Sequence, residues 1–171
     1  QDPVHLAEVQ IQQAYLYNLD FIKMMPFGNY SAHDFGLSCT FYCTRTQPVL
    51  ERKFAIDSPK EWIELEPLPG YFGSHGKQLQ FAKELKKQLK GVEIPYIQTV
   101  FSPLTTAKKL AGNRVFDDMR AYPDYLHHAL RVITETTIDF VKYNIELGVA
   151  GFFFATQCAT RDFMTEEEYE E

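Results

Sequence analysis

The sequence predicts an α/β fold built of parallel βα units. Three observations carry that prediction. Amphipathic helices alternate with short apolar runs, most helices open on recognisable caps, and residues 149–155 are almost wholly apolar. Alternation of this kind belongs to a parallel sheet flanked by crossover helices, whose strands are covered on both faces.

Asp2-Pro3 opens the first helix, with an acceptor at the N-cap and a proline where its missing N–H costs nothing. Val4, Ala7, Ile11, Ala14, Tyr15 and Leu19 then follow a 3.6-residue period. Phe21 to Met25, broken only by Lys23, suits a short buried strand, and Pro26 to Gly36 has the composition of a loop. Leu37, Cys39, Phe41 and Cys43 alternate with polar residues, which is strand periodicity. Ser58-Pro59-Lys60-Glu61 is a capping box. Pro67 to Gly76 reads as a turn-rich link before a basic helix over 77–89, which Gly91 ends.

Ile94 to Phe101 reads as a strand, followed by a helix capped at Ser102-Pro103. Tyr122-Pro123 starts a long helix that stops before Gly148, and Thr165 to Glu168 opens another. Three strand-and-helix units are half or less of an eight-unit barrel, which needs ~250 residues. A small doubly wound sheet is the alternative, but it would want a phosphate loop. Gly70, Gly73 and Gly76 follow no strand.

The 171 residues read as a single domain, with 45% hydrophobic and 23% charged residues in globular balance. A net charge of −6 argues against nucleic acid as a partner. Lys83, Lys86, Lys87 and Lys90 read as a solvated helix face. No run approaches the ~20 apolar residues of a membrane span, and no secretory leader is visible. Three cysteines suit a reducing, cytoplasmic setting. The chain starts without Met on a capped helix and closes at Glu171 inside a first helical turn, so both ends read as cuts. Open edges on its apolar strands predict that the isolated piece is poorly soluble or self-associates.

Four stretches resemble the uroporphyrinogen decarboxylase superfamily. They are LDFIKMMPFGNYSAHDFG (19–36), QTVFSPLTTAKKLAG (98–112), ITET (133–136) and ELGVAGFFFATQ (146–157). They occur in the family's order and at roughly its spacing. The resemblance implies a partial (β/α)8 TIM barrel, covering roughly the second to fourth βα units. It implies either cofactor-independent decarboxylation of a tetrapyrrole or related carboxylated substrate, or zinc-dependent methyl transfer between a corrinoid and a thiol. A barrel that only binds a tetrapyrrole is the non-enzymatic alternative. This segment itself would hold no cofactor, since the zinc ligands of the methyltransferases come later in the barrel. The family also implies a homodimer of the full-length parent.

Two positions depart from the decarboxylase pattern. The aspartate expected at the end of the first strand falls on Phe27, which cannot accept pyrrole N–H groups. The tyrosine expected six residues past Pro103 falls on Lys109. In such a barrel function sits at the C-terminal ends of the strands. That rule selects Phe27 and Gly28, then Phe101 and Ser102, then Thr156, Gln157 and Cys158 as substrate-binding candidates. Gln157 could both donate to a carboxylate and accept from a ring N–H. Ser102 has a competing role as an N-cap.

The remaining candidates read as structural. Cys39 and Cys43, with His33 nearby, share a strand face but make only part of a zinc site. Cys158 has no basic neighbour in sequence to lower its pKa. His127 and His128 belong on a solvent-facing helix, and His75 in a glycine-rich loop. His33 or Asp34 would serve a pocket only if the 26–36 loop folds over the mouth, and an exposed position is the simpler expectation.

Overall fold

The computed structural model describes residues 2–42 and 49–170. Helix α1 (Pro3–Leu16) is capped by Asp2, whose carboxylate accepts the Val4 amide at 2.9 Å. Strand β1 (Ile22–Lys23) leads into a loop, a short helix α2 (Tyr30–His33), and the strands β2 (Ser38–Thr40) and β3 (Leu50–Lys53). A 3-10 turn follows at Pro59–Glu64, with the expected Ser58–Glu61 capping box. Helix α3 (Gly73–Gln88) returns the chain to β4 (Tyr96–Phe101). Helices α4 (Pro103–Ala111), α5 (Arg114–Ala121) and α6 (Pro123–Leu147) then lead to β5 (Gly151–Ala155) and α7 (Glu166–Glu170).

The main sheet is parallel, in the order β1-β4-β5. Its centre is β4, almost fully buried, as the apolar run over 94–101 predicts. Lys83, Lys86 and Lys87 on α3, and Lys90 just past its end, are exposed, as their helical spacing predicts. Gly148 ends α6 in the left-handed region at φ 86°, where a side chain would be strained.

Four expectations need correction. Only Ile22 and Lys23 of the first apolar run pair with β4, and Phe21 and Met25 stand exposed because β1 is an edge. The alternating segment beginning at Leu37 forms β2, but it pairs antiparallel with β3 in a separate hairpin. The part of that reading that includes Cys43 lies outside the described residues. Strand β5 is not covered on both faces. Phe153 and Phe154 are 43% and 56% exposed, since no strand lies beyond β5 among the described residues. Helix α3 starts at Gly73 rather than 77, which takes His75 out of the expected loop and buries it.

The link before α3 is fastened along α6. Thr136 of the ITET motif accepts the Leu68 amide at 2.9 Å, and Asp139 accepts the Gly70 amide at 2.7 Å. Gly70 lies so close to α6 that an added Cβ would stand 2.6 Å from both the Asp139 carbonyl carbon and Phe140 Cα. Backbone cannot yield at that distance as a flexible side chain would. Gly70→Ala should therefore destabilise the full-length protein by about 2 kcal/mol, in the range of overpacked cores. Urea denaturation measures it, and an unchanged midpoint would show that the link detaches freely from α6.

Candidate functional site

In parallel βα folds the strands' C-terminal ends face the loops that carry function, because every crossover helix begins there. Phe27 lies just beyond β1. Its ring packs edge-on against His33 (centroids 5.7 Å apart) and Phe41 (5.1 Å). An aromatic cluster thus stands beyond the end of β1. Gly28 is exposed, with nothing within 4 Å of where a Cβ would stand.

At the end of β4, Ser102 performs its capping role. Its hydroxyl accepts the Thr105 amide at 3.2 Å and donates to Thr105 Oγ1 at 2.8 Å. Thr105 Oγ1 in turn accepts the Gln157 amide at 3.0 Å. That chain of bonds fixes the backbone beyond β5. Thr156 and Gln157 are exposed there, whereas Cys158 is buried and its thiol reaches the Leu104 carbonyl at 3.8 Å. Burial pushes the Cys158 thiol above its ordinary range, the opposite of what a nucleophile requires.

A cavity of about 340 Å³ joins Gln157 and Thr105 to Lys108, Lys109 and, across from them, Glu51 of β3. Lys109 is its central cation. The ammonium donates to Asn29 Oδ1 at 3.2 Å and stands 4.9 Å over the Phe101 ring. Burial lowers the Lys109 pKa below the ordinary lysine range, opposed by the negative field of Glu51. A partly desolvated ammonium of this kind gains from meeting an anion, which restores the solvation it lacks. Asn29 also reaches Cys39, donating to its sulfur at 3.9 Å. Burial raises the Cys39 thiol too.

A second polar cluster lies under the aromatic one. Asp34 accepts the amides of Ser74 (2.7 Å) and His75 (3.1 Å) at the start of α3, and the His75 Nδ1–H at 2.9 Å. Burial alone would raise its pKa, but these hydrogen bonds and the field of His75 outweigh it and hold the carboxyl below the ordinary carboxylate range. Asp34 and His75 side chains are each 4% exposed, so Asp34 is not the exposed loop residue that sequence suggests. His33, in contrast, is 40% exposed and lies against Phe27.

His128 bonds the Leu65 carbonyl at 3.3 Å and is half-buried rather than solvent-facing, because α6 packs on the 3-10 turn. His127 lines a larger cavity of about 730 Å³ between α4, α6 and β5, with Leu130, Phe154 and Met164. That cavity is mainly apolar and opens beside the uncovered face of β5. Among the described residues no three His, Cys, Asp or Glu side chains gather as metal ligands. None of the helices described is long and apolar enough to cross a membrane.

The uroporphyrinogen decarboxylase (URO-D) family model matches residues 1–171, the whole chain. The chain belongs to the uroporphyrinogen decarboxylase family. Among solved structures, this URO-D family chain superimposes on a methyltransferase from Methanosarcina mazei with a TM-score of 0.85. The two are 18% identical, a level at which the likeness speaks for the fold. The match covers 99% of this chain and 50% of the methyltransferase, so the URO-D segment spans about half the length of that structure. No curated protein sequence matches it.

Sequence reasoning selected Phe27, Gly28, Ser102, Thr156, Gln157 and Cys158, of which only Gln157 lines the cavity of Lys109, a residue it noted as a departure from the decarboxylase pattern and did not select. It missed Asn29 and Glu51, for which no local signal exists. It undervalued the Asp34–His75 pair. The one clue was an Asp at the end of a polar loop and a helix start at 73–75 with no side-chain cap of its own.

Proposed function

We propose that this chain is three consecutive βα units of an eight-stranded barrel enzyme that binds a carboxylated, tetrapyrrole-like substrate at the strand ends and decarboxylates it. The parallel order β1-β4-β5, open at Phe153 and Phe154, supports the barrel, since both edges offer apolar surface for further units. The observation that carries the substrate class is Lys109. Its half-buried ammonium lies above the Phe101 ring, at the mouth, and donates to Asn29. A carboxylate can pair with it while a flat ring system rests on Phe27, Phe41 or Phe101.

The test uses the full-length protein and uroporphyrin as a fluorescent probe. A hydrogen bond to a charged group contributes about 1.5–3 kcal/mol. Lys109→Met should therefore weaken uroporphyrin binding roughly ten- to a hundredfold, and Lys109→Arg much less. Uroporphyrinogen should also lose carboxyl groups, read by chromatography of the oxidised products. No binding by the wild type, or equal affinity in Lys109→Met, would overturn the substrate class.

A second reading, zinc-dependent methyl transfer between a corrinoid and a thiol, draws support from the methyltransferase among the structural neighbours. Cys39, His33 and Cys158 do not gather into a zinc site, so no step through zinc is derived from them. Elemental analysis of the full-length protein, purified without chelator, decides between the readings. About one zinc per chain would favour methyl transfer.

A further inference from the structure

We propose that His33 is the proton donor of this mouth, set in place by Ser74 and by a carboxylate, Asp34, that it shares with His75. The inference rests on the decarboxylation reading above. It starts from a chemical shortfall. Replacing a carboxylate by hydrogen requires a proton at the carbon the CO₂ leaves, and Phe27 at the end of β1 has none to give. His33 is a titratable group in ring contact with Phe27, and its side chain is 40% exposed beside the open Phe41.

The hydrogen bonds behind the ring decide which nitrogen is presented. Ser74 Oγ lies 3.1 Å from His33 Nδ1, and Asp34 Oδ1 lies 3.8 Å from the same atom. In the imidazolium Nδ1–H donates to the Ser74 hydroxyl oxygen, which leaves Nε2–H as the proton directed away from it. The inward nitrogen is therefore occupied, and the outward one carries the transferable proton. When the ring is protonated, its charge faces Asp34.

The two imidazoles on this carboxylate differ in what they can reach. His75 is packed between Tyr30 (5.3 Å between centroids) and Phe140 (5.0 Å), and is almost wholly buried. It holds Asp34 in place but cannot meet a substrate. His33 shares the anion and can. Among the described residues, the titratable groups against His33 are Asp34 on its own segment and, across Asp34, His75 on α3. Phe27 and Phe41 contribute rings without charge. Asp34 stays ionised through its three N–H partners, so its negative charge is available to the imidazolium.

The step balances without a further reactant. The imidazolium Nε2–H passes its proton to the substrate carbon, the C–CO₂ bond breaks, and its electron pair becomes the new C–H bond. CO₂ leaves, and neutral His33 regains a proton from water. Its role is that of a general acid, which typically contributes 10²–10⁴-fold.

The experiment compares wild-type, His33→Gln and His33→Asn forms of the full-length protein on uroporphyrinogen, with thermal melting to confirm folding. Both variants should melt with the wild type, because the ring is at the surface. Both should lose about a hundredfold or more in kcat with KM within about twofold. Added imidazole should restore part of the rate in both variants. An active wild type with equally active variants, or a loss confined to KM, would overturn the assignment while leaving the substrate class standing. A wild type that binds uroporphyrin yet never releases CO₂ would sink the decarboxylation reading, and the proton donor with it.

Discussion

Replacing Asp34 by alanine is expected to lower the stability of the full-length protein by about 3 kcal/mol at neutral pH. The residue joins three functions in one carboxylate. It caps α3 through the Ser74 and His75 amides, pairs with the His75 ring, and ties the segment after α2 to α3. A lost cap costs about 1 kcal/mol, and a hydrogen bond to a charged group contributes about 1.5–3 kcal/mol. Asp34→Asn keeps an acceptor for the cap and loses the charge, so it should cost about half as much. The sign of the pH effect follows from the lowered folded-state pKa. The contribution is fully present above the unfolded carboxylate value of about 3.9, and is lost as pH falls through the folded value. The stability gap between wild type and Asp34→Asn should therefore shrink below about pH 4. Urea midpoints between pH 3 and 7 measure it, and a gap constant over that range would mean that the charge of Asp34 contributes nothing.

Trp62→Ala should be the more damaging change, at about 3–5 kcal/mol. Trp62 is fully buried in the 3-10 turn, among Leu110, Val115, Leu126 and Ile133. Its indole N–H donates to Asp118 at 2.8 Å, and Asp118 is also paired with Arg114 at 3.3 Å. Removal of the ring leaves a cavity and takes a donor from a buried carboxylate. Trp62→Phe separates the two effects. It keeps most of the volume and drops only the hydrogen bond, so it should cost about 1–2 kcal/mol. Equal losses in both variants would place the whole effect in the hydrogen bond. There is also a functional consequence. The turn follows the β2–β3 hairpin and packs against α6, and β3 carries Glu51 to the Lys109 cavity. Trp62→Ala should weaken uroporphyrin binding as well, even below its melting temperature.

These expectations depend on contacts of very different range, and that range separates what was legible beforehand from what was not. The caps at Asp2, Ser58 and Ser102 were readable because each bond closes within three residues. Helix α6 was readable from its apolar period and from Gly148. The break between α4 and α5 was missed, although Gly112 lies there with φ 65° against the Phe54 ring. Strand β3 (LERK) was unreadable, since it is exposed along its length and is a strand only by pairing with β2. Cys39 was read as structural for want of a full ligand set and Cys158 for want of a basic neighbour in sequence, whereas the burial that raises both thiols depends on distant segments.

By itself, then, the sequence determined the alternation of helices and parallel strands and the membership signalled by its four motifs. Both are set by residues within a few places of one another along the chain. Only the tertiary structure decided that Lys109 meets Asn29 from 80 positions away, that Asp34 is buried with His75 at a separation of 41, and that His33 stands open beside Phe27. The reason is physical. A helix cap or a capping box is selected by local geometry, whereas burial, desolvation and the charge of a mouth depend on which distant segments return to the same end of the sheet.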